Sequence, residues 1–207
     1  MKEAPPTVFL VDDDASVLKS LARLLRSAGM NPATYSSPRE FLDRRDPHAA
    51  GCIVLDVAMP GLDGLQLQEE LDRTGPHMPI IFLTGHGDVP MSVRAMKRGA
   101  IDFLTKPVND EELLKAVRSA VEADRDRRES EAEIGDIRRR LAALTPRERE
   151  VLCHVVAGKM NKQIAADLGA AEKTIKVHRG RVMQKMQVRS VAELVHLADK
   201  VGTMEMR

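Results

Sequence analysis

The sequence predicts an α/β doubly wound domain of five parallel strands, followed by an all-α domain of four helices that contains a helix-turn-helix. Three observations lead there. Apolar runs alternate with helical patterns up to residue 121, several runs end directly in a polar or charged side chain, and the later residues break into short helical segments divided by glycines. A parallel sheet covered by helices on both faces needs continuous apolar strands, and it presents ligand groups just beyond their carboxyl ends.

VFLV is the first strand and runs into Asp12, Asp13 and Asp14, of which Asp14 fits a turn residue or the N-cap of the next helix. Residues 16–28 place Val17, Leu18, Leu21, Leu24 and Leu25 on one helical stripe that stops before Gly29. NPATY is a weak second strand. Ser37 and Pro38 are an N-cap and a proline at the first helical position, leading into Arg39 to Arg45. CIVLD ends the third strand at Asp56, and the turn MPGLDG leads to a helix from Leu65 to Arg73. PIIFLT ends at Thr84, a helix runs from Pro90 to Arg98 and closes at Gly99, and DFLTK carries the fifth strand to Lys106. The fifth helix opens at NDEELLKAVRSAV, with Asn109 as its cap and three acids in the first turn, where the helix dipole favours them.

This pattern divides the chain into residues 1–121, a charged and helical linker at 122–140, and residues 141–207. In 122–136 nearly every side chain is charged or small, so the stretch reads as a solvated extension of the fifth helix or as a loose linker. Ile134, Ile137, Leu141 and Leu144, spaced 3, 4 and 3, permit a short helix-pairing seam. Beyond them, Thr145, Pro146 and Glu148 are an N-terminal helix signature, and the second and third short helices are joined by a glycine-containing turn.

Composition narrows the functions. Hydrophobic residues make up 43% of the 207, enough for ordinary cores, but with no Trp, one Tyr and four Phe those cores are aliphatic. A stacking platform for single-stranded nucleic acid is therefore not expected. No run of about 18 apolar residues is present, and MKEAPPT lacks an apolar signal core, so the expectation is a cytoplasmic protein without a membrane partner. Cys52 and Cys153 are expected to be buried free thiols. The formal charge of +1 conceals a division: residues 1–121 carry 14 Lys+Arg against 17 Asp+Glu, and residues 145–207 carry 12 against 7. An acidic front suits a cation, and a basic tail suits an anionic polymer.

The strand-end residues describe a phosphoryl-accepting pocket. Three carboxylates brought together repel one another unless a cation lies between them, and a hard divalent ion with oxygen ligands resolves the conflict. Magnesium, or manganese, fits Asp13 and Asp56 as ligands with Asp12 in support. Asp56 is the candidate nucleophile, since a carboxylate can become an aspartyl phosphate. Lys106 supplies a point charge to the phosphoryl oxygens and Thr84 a hydroxyl.

VDDD, the LDVAMPGLDG run around Asp56, TGHGDVP from Thr84 and GAIDFLTKP through Lys106 resemble the receiver domain of bacterial two-component response regulators. LTPREREVL through KTIKVHRGRVMQKM resembles the LuxR-type helix-turn-helix, so the chain is similar to the FixJ/NarL family, nearest its FixJ-like branch. The resemblance covers about residues 6–121 and 141–201 and implies a flavodoxin-like receiver. It implies Asp56 as phospho-acceptor, Asp12 and Asp13 as the acidic pair, Ala58 as donor of a backbone carbonyl to the metal, and Lys106 as the base that pairs with phosphate. Thr84 and Phe103 become the switch hydroxyl and switch aromatic, although from its own surroundings Phe103 reads equally as strand core. It also implies a cis bond before Pro107, a sensor histidine kinase as phosphodonor, pairing into a homodimer on phosphorylation, promoter DNA and RNA polymerase as partners, and no enzyme activity beyond this.

In the helix-turn-helix the segment from about Lys173 to Met186 is the helix that enters the major groove. Ile175, Val182 and Met186 form its core face, which turns Thr174, Lys176, Val177, His178 and Arg181 wholly or partly outward. Lys176 suits a base edge or phosphate and Val177 a thymine methyl, with Thr174, His178 and Arg181 on backbone or a neighbouring base. Asn161 and Lys162 open the preceding helix, whose start can meet a phosphate. Gly180 departs from the larger polar or basic residue common among the relatives it resembles.

Two other readings stay open at this level. A phosphatase of the haloacid dehalogenase type would use DDDAS as its nucleophile motif, but it needs a later acidic pair on a strand and leaves Asp56 without a role. An adaptor would use the basic tail to bind another protein.

Overall fold

The computed structural model describes residues 5–74, 78–85 and 89–202. His86, Gly87 and Asp88 of the TGHGDVP run lie outside the described residues. The chain divides into two compact units, one ending at Arg128 and the other beginning at Glu129.

In the first unit, strands β1 (Thr7–Val11), β2 (Asn31–Tyr35), β3 (Gly51–Asp56), β4 (Ile80–Thr84) and β5 (Asp102–Thr105) form one parallel sheet in the order β2-β1-β3-β4-β5. Helices α1 (Ala15–Ser27), α2 (Pro38–Arg44), α3 (Gly64–Thr74), α4 (Val89–Lys97) and α5 (Asp110–Ala142) follow the strands in turn. Alternate residues of each central strand enter opposite cores. Val8, Leu10, Cys52, Val54, Ile81 and Leu83 pack with Leu18, Leu21 and Leu25 of α1 and Leu113 and Val117 of α5. Phe9, Val11, Ile53, Leu55, Ile80 and Phe82 pack with Phe41 of α2, Leu67 and Leu71 of α3 and Ala95 of α4. Side-chain alternation on a pleated strand thus explains why these runs are apolar throughout.

The helix starts follow from local chemistry. Asp14 caps α1, its carboxylate accepting the N–H of Ser16 at 2.7 Å. Ser37 caps α2 with Pro38 in its first turn, and Asn109 accepts the N–H groups of Glu111 and Glu112 at the start of α5.

Helix α5 is continuous from Asp110 to Ala142, so residues 122–136 are helical. The stretch is not uniformly solvated: Asp124 is 1% exposed. Its carboxylate accepts the Gly51 N–H at 2.9 Å and pairs with Arg127 at 2.6 Å and Arg128 at 2.7 Å. Arg128 donates further to the His48 and Ala49 carbonyls.

The second unit contains α6 (Pro146–Val156), α7 (Asn161–Asp167), α8 (Glu172–Lys185) and α9 (Val191–Val201). Ile137, Leu141 and Leu144 are buried in its core with Val151, Leu152, Ile164, Ile175, Val182, Met186 and Leu194, and Ile134 packs against it. The heptad-like spacing therefore serves this unit's own core, and the helix-pairing seam is not what these residues build. Thr145 and Glu148 close a capping box on α6, and Lys185 Nζ reaches the buried Glu148 carboxylate at 2.7 Å.

Neither Cys52 nor Cys153 forms a disulfide. Cys52 is fully buried, and burial, with the Asp124 charge nearby, pushes its thiol up to about 12. Cys153 is half-buried, more open than expected.

Candidate functional site

Strand register assembles the acidic cluster. Val11 is paired with Leu55, so Asp12 and Asp56 occupy equivalent places on neighbouring strands β1 and β3. Asp56 pairs in turn with Leu83, which puts Thr84 at the end of β4, and Thr84 pairs with Thr105 one residue before Lys106. Asp12, Asp56 and Thr84 are buried, and Asp13 is exposed at the rim. One carboxylate oxygen from each of Asp12, Asp13 and Asp56 lies within 4.8 Å of the others.

Lys106 closes the cluster. Its Nζ lies 2.6 Å from Asp12 Oδ2 and 3.0 Å from Asp56 Oδ1. The other Asp12 oxygen accepts the Asp14 N–H at 2.9 Å, which fixes the carboxylate. Lys106 is positioned by its own backbone, whose N–H donates to the Thr84 carbonyl at 2.7 Å, and the bond to Pro107 is cis. Burial raises the Asp56 pKa above the ordinary value, with the Asp12 and Asp13 charges adding to the rise while Lys106 opposes it. Burial works against the Lys106 charge, but the hydrogen bonds to Asp12 and Asp56 win and leave its pKa raised.

These residues fit a hard divalent cation. The donors are all oxygens, they converge, and an ammonium group already sits among them as a counter-charge. Ala58 is exposed two residues past Asp56. Phe103 is half-buried on β5, its ring 6.1 Å from that of Phe82.

Gly64 supports the site and was not singled out from the sequence. A Cβ there would lie 2.4 Å from the Asp56 carbonyl oxygen, so the turn after β3 can fold against the Asp56 backbone only with glycine. The one sequence signal is the glycine pair in MPGLDG. The acidic pair demanded by a haloacid dehalogenase reading is absent from the described part of the site, since Asp124 is engaged at Gly51 and Asp126 lies exposed beside Arg125.

On α8 and its C-cap, Ile175, Val182 and Met186 are fully buried, while Thr174, Lys176, Val177 and Arg181 are exposed. His178 is half-buried, with Nδ1 enclosed and without a hydrogen-bond partner among the described residues. Lys162 is exposed on α7, whereas Asn161 uses its side-chain oxygen to accept from Arg179 at 3.0 Å, tying α7 to α8. That tie through Arg179 had no signal in the sequence.

A five-stranded parallel sheet with clustered acids and a lysine at its carboxyl edge, joined to a helix-turn-helix unit, defines the class of two-component response regulators. Residues 8–118 match the response regulator receiver domain family, and residues 142–198 match the LuxR family of bacterial regulatory proteins. The chain belongs to the NarL/FixJ family of response regulators, with FixJ-like relatives. It is 50% identical to Nodulation protein W of Bradyrhizobium diazoefficiens over 94% of this chain and 86% of that one. It is 46% identical to transcriptional regulatory protein FixJ of Azorhizobium caulinodans over 98% and 95%. The solved structure of response regulator StyR has a TM-score of 0.87 at 49% identity, covering 95% of this chain and all of that one. This is a transcription regulator with a receiver domain and a LuxR-type DNA-binding domain.

Proposed function

We propose that Asp56 accepts a phosphoryl group from a sensor histidine kinase, with Mg²⁺ or Mn²⁺ held by Asp12, Asp13, Asp56 and the Ala58 carbonyl. The observation that carries this reading is the clustering of three carboxylates at the carboxyl edge of the sheet, two of them, Asp12 and Asp56, paired with Lys106. An Asp56 oxygen forms the bond to phosphorus as the P–N bond to the kinase's imidazole breaks, and the electron pair leaves with that nitrogen. When bound, the cation supplies charge neutralisation for the phosphoryl oxygens. Lys106 shares that task and Thr84 donates its hydroxyl to a phosphoryl oxygen. A cavity of about 1040 Å³ beside Lys106, bordered by Ser16, Val17, Leu24, Pro107 and Val108, is a fitting seat for the kinase.

The phosphoryl group adds about −1.5 to −2 charge units, draws Thr84 inward and frees space that Phe103 can fill without burying a donor. The response is homodimer formation through the α4 and β5 side, where Val93 and Met96 are 45% and 46% exposed. Pairing doubles the contacts to promoter DNA, made by Lys176 and Val177 at base edges and by Thr174, His178, Arg181, Asn161 and Lys162 at backbone or neighbouring groups. RNA polymerase is a further partner in this reading. DNA as a partner places the protein in the cytoplasm. Among the described residues no helix is long and apolar enough to cross a membrane.

Incubation with a small phosphodonor and Mg²⁺ tests the first step. A single phosphoryl group mapped to Asp56 is expected, with little turnover; labelling of Asp12 with many turnovers would refute it. Duplex binding by the labelled chain should weaken steeply with salt, whereas salt-independent binding to a protein and none to DNA would favour an adaptor.

A further inference from the structure

The exposed face of α8 has a gap at its centre. Lys173, Lys176, Val177, Arg181 and Gln184 are exposed around Gly180, at spacings that put them on one side of the helix. A glycine inside a helix weakens it, so an internal reason for one is normally a left-handed backbone or a close neighbour. Neither holds here. Gly180 is not among the residues with positive φ, and a Cβ built on it meets no atom of the described residues within 4 Å. Among the described residues nothing fills the room that the missing side chain leaves, so that room is open to a partner. One turn before it, Val177 is 50% exposed, an apolar side chain set among cations.

We infer that Val177 and the bare backbone of Gly180 form a shallow apolar notch that seats the C5-methyl group of a thymine, making Gly180 a specificity-determining position for one A·T pair. The inference rests on α8 being the groove helix. Lys173, Lys176 and Arg181 supply the charge that holds the duplex, and the notch lies between them. In the major groove the thymine methyl is the apolar feature among the donors and acceptors of the base edges. A long side chain at 180 would project from this face and hold the base edge off, whereas glycine lets the helix axis approach it. The notch therefore reads a methyl group by contact, and a cytosine at that pair, which carries only a hydrogen at C5, leaves it unfilled.

The test uses the full chain treated with a small phosphodonor and Mg²⁺. Bound duplexes are selected from a random pool, and each thymine of the selected site is replaced by uracil, which deletes only the methyl group. At one position per half-site uracil should weaken binding about fourfold, the equivalent of one buried methyl group. Val177→Ala should bind the thymine and uracil duplexes there alike. Gly180→Leu should lose the preference at that pair but keep salt-sensitive binding to unrelated duplex. Gly180→Ala, with no clash to meet, should melt no lower than the parent and carries the comparison if the leucine variant is unstable. Selective binding in which no thymine methyl matters overturns the inference alone, as does an unchanged site preference in both Gly180 variants. A chain that binds no duplex overturns it together with the groove-helix reading.

Discussion

Asp124 and Gly51, 73 residues apart in the chain, are joined by a 2.9 Å hydrogen bond from the Gly51 N–H to the Asp124 carboxylate. The acceptor is 1% exposed and is held by Arg127 and Arg128, so the far part of α5 in the first unit is fastened to the start of β3.

Asp124→Ala removes the acceptor and leaves two arginines without their shared carboxylate. A loss on the order of 2–4 kcal/mol in folding stability is expected, because the partners left behind are partly desolvated. Chemical denaturation of the variant against the parent measures it; a loss well below 1 kcal/mol would show that water replaces the carboxylate freely.

Asp56 holds its proton to a higher pH than an ordinary carboxylate because it is buried beside other acids. A divalent ion must displace that proton, so Mg²⁺ affinity should begin to fall at a pH above the usual carboxylate range and continue falling as pH drops. The chain has no tryptophan, so calorimetric titration is the suitable readout. Asp56→Asn should bind the ion more weakly, show a flatter pH profile and take no phosphoryl label.

Glu148 is held down to about 2, below its ordinary 4.5, chiefly by the Lys185 ammonium and then by the Thr145 N–H. A carboxyl group depressed by folding stabilises the folded form above its unfolded pKa, and that contribution is lost as pH falls from about 4.5 toward 2. Glu148→Gln should therefore be less stable than the parent near neutrality, and the gap should close across that window. Denaturation of the full chain at a series of pH values, followed by a probe placed in the second unit, measures it.

Gly64→Ala would drive a methyl group against the Asp56 carbonyl oxygen, which stands 2.4 Å from the Cβ position. The turn must shift, and the Asp56 carboxylate with it. Labelling by a phosphodonor should slow at least tenfold while far-ultraviolet circular dichroism stays close to the parent; an unchanged rate would mean the turn yields without moving Asp56.

Asp12, Asp56 and Thr84 could be read from the sequence because each ends or directly follows a strand of mostly apolar residues, and Lys106 because it follows the short strand DFLT; a parallel sheet gives such strands a common edge. Asp12, Asp56, Thr84 and Lys106 are brought together there. Asp124 could not be read in the same way. Its neighbours are charged or small, and nothing local distinguishes a carboxylate buried against a distant N–H from one in water. Ile134, Ile137, Leu141 and Leu144 show a different limit: periodicity reports that a helix has an apolar face, but not whether the chain itself or a second copy covers it. The Arg179 tie to Asn161 was equally silent, since an arginine on a basic helix suggests an anion before a neighbouring carboxamide.

The order β2-β1-β3-β4-β5 carries one more consequence. Asp12 and Asp56 become neighbours because β1 and β3 lie side by side, not because of where the chain starts. Rejoining the first unit so that it opened at a different connection, while those strands kept their places, would rebuild the same carboxylate cluster from a rearranged reading order.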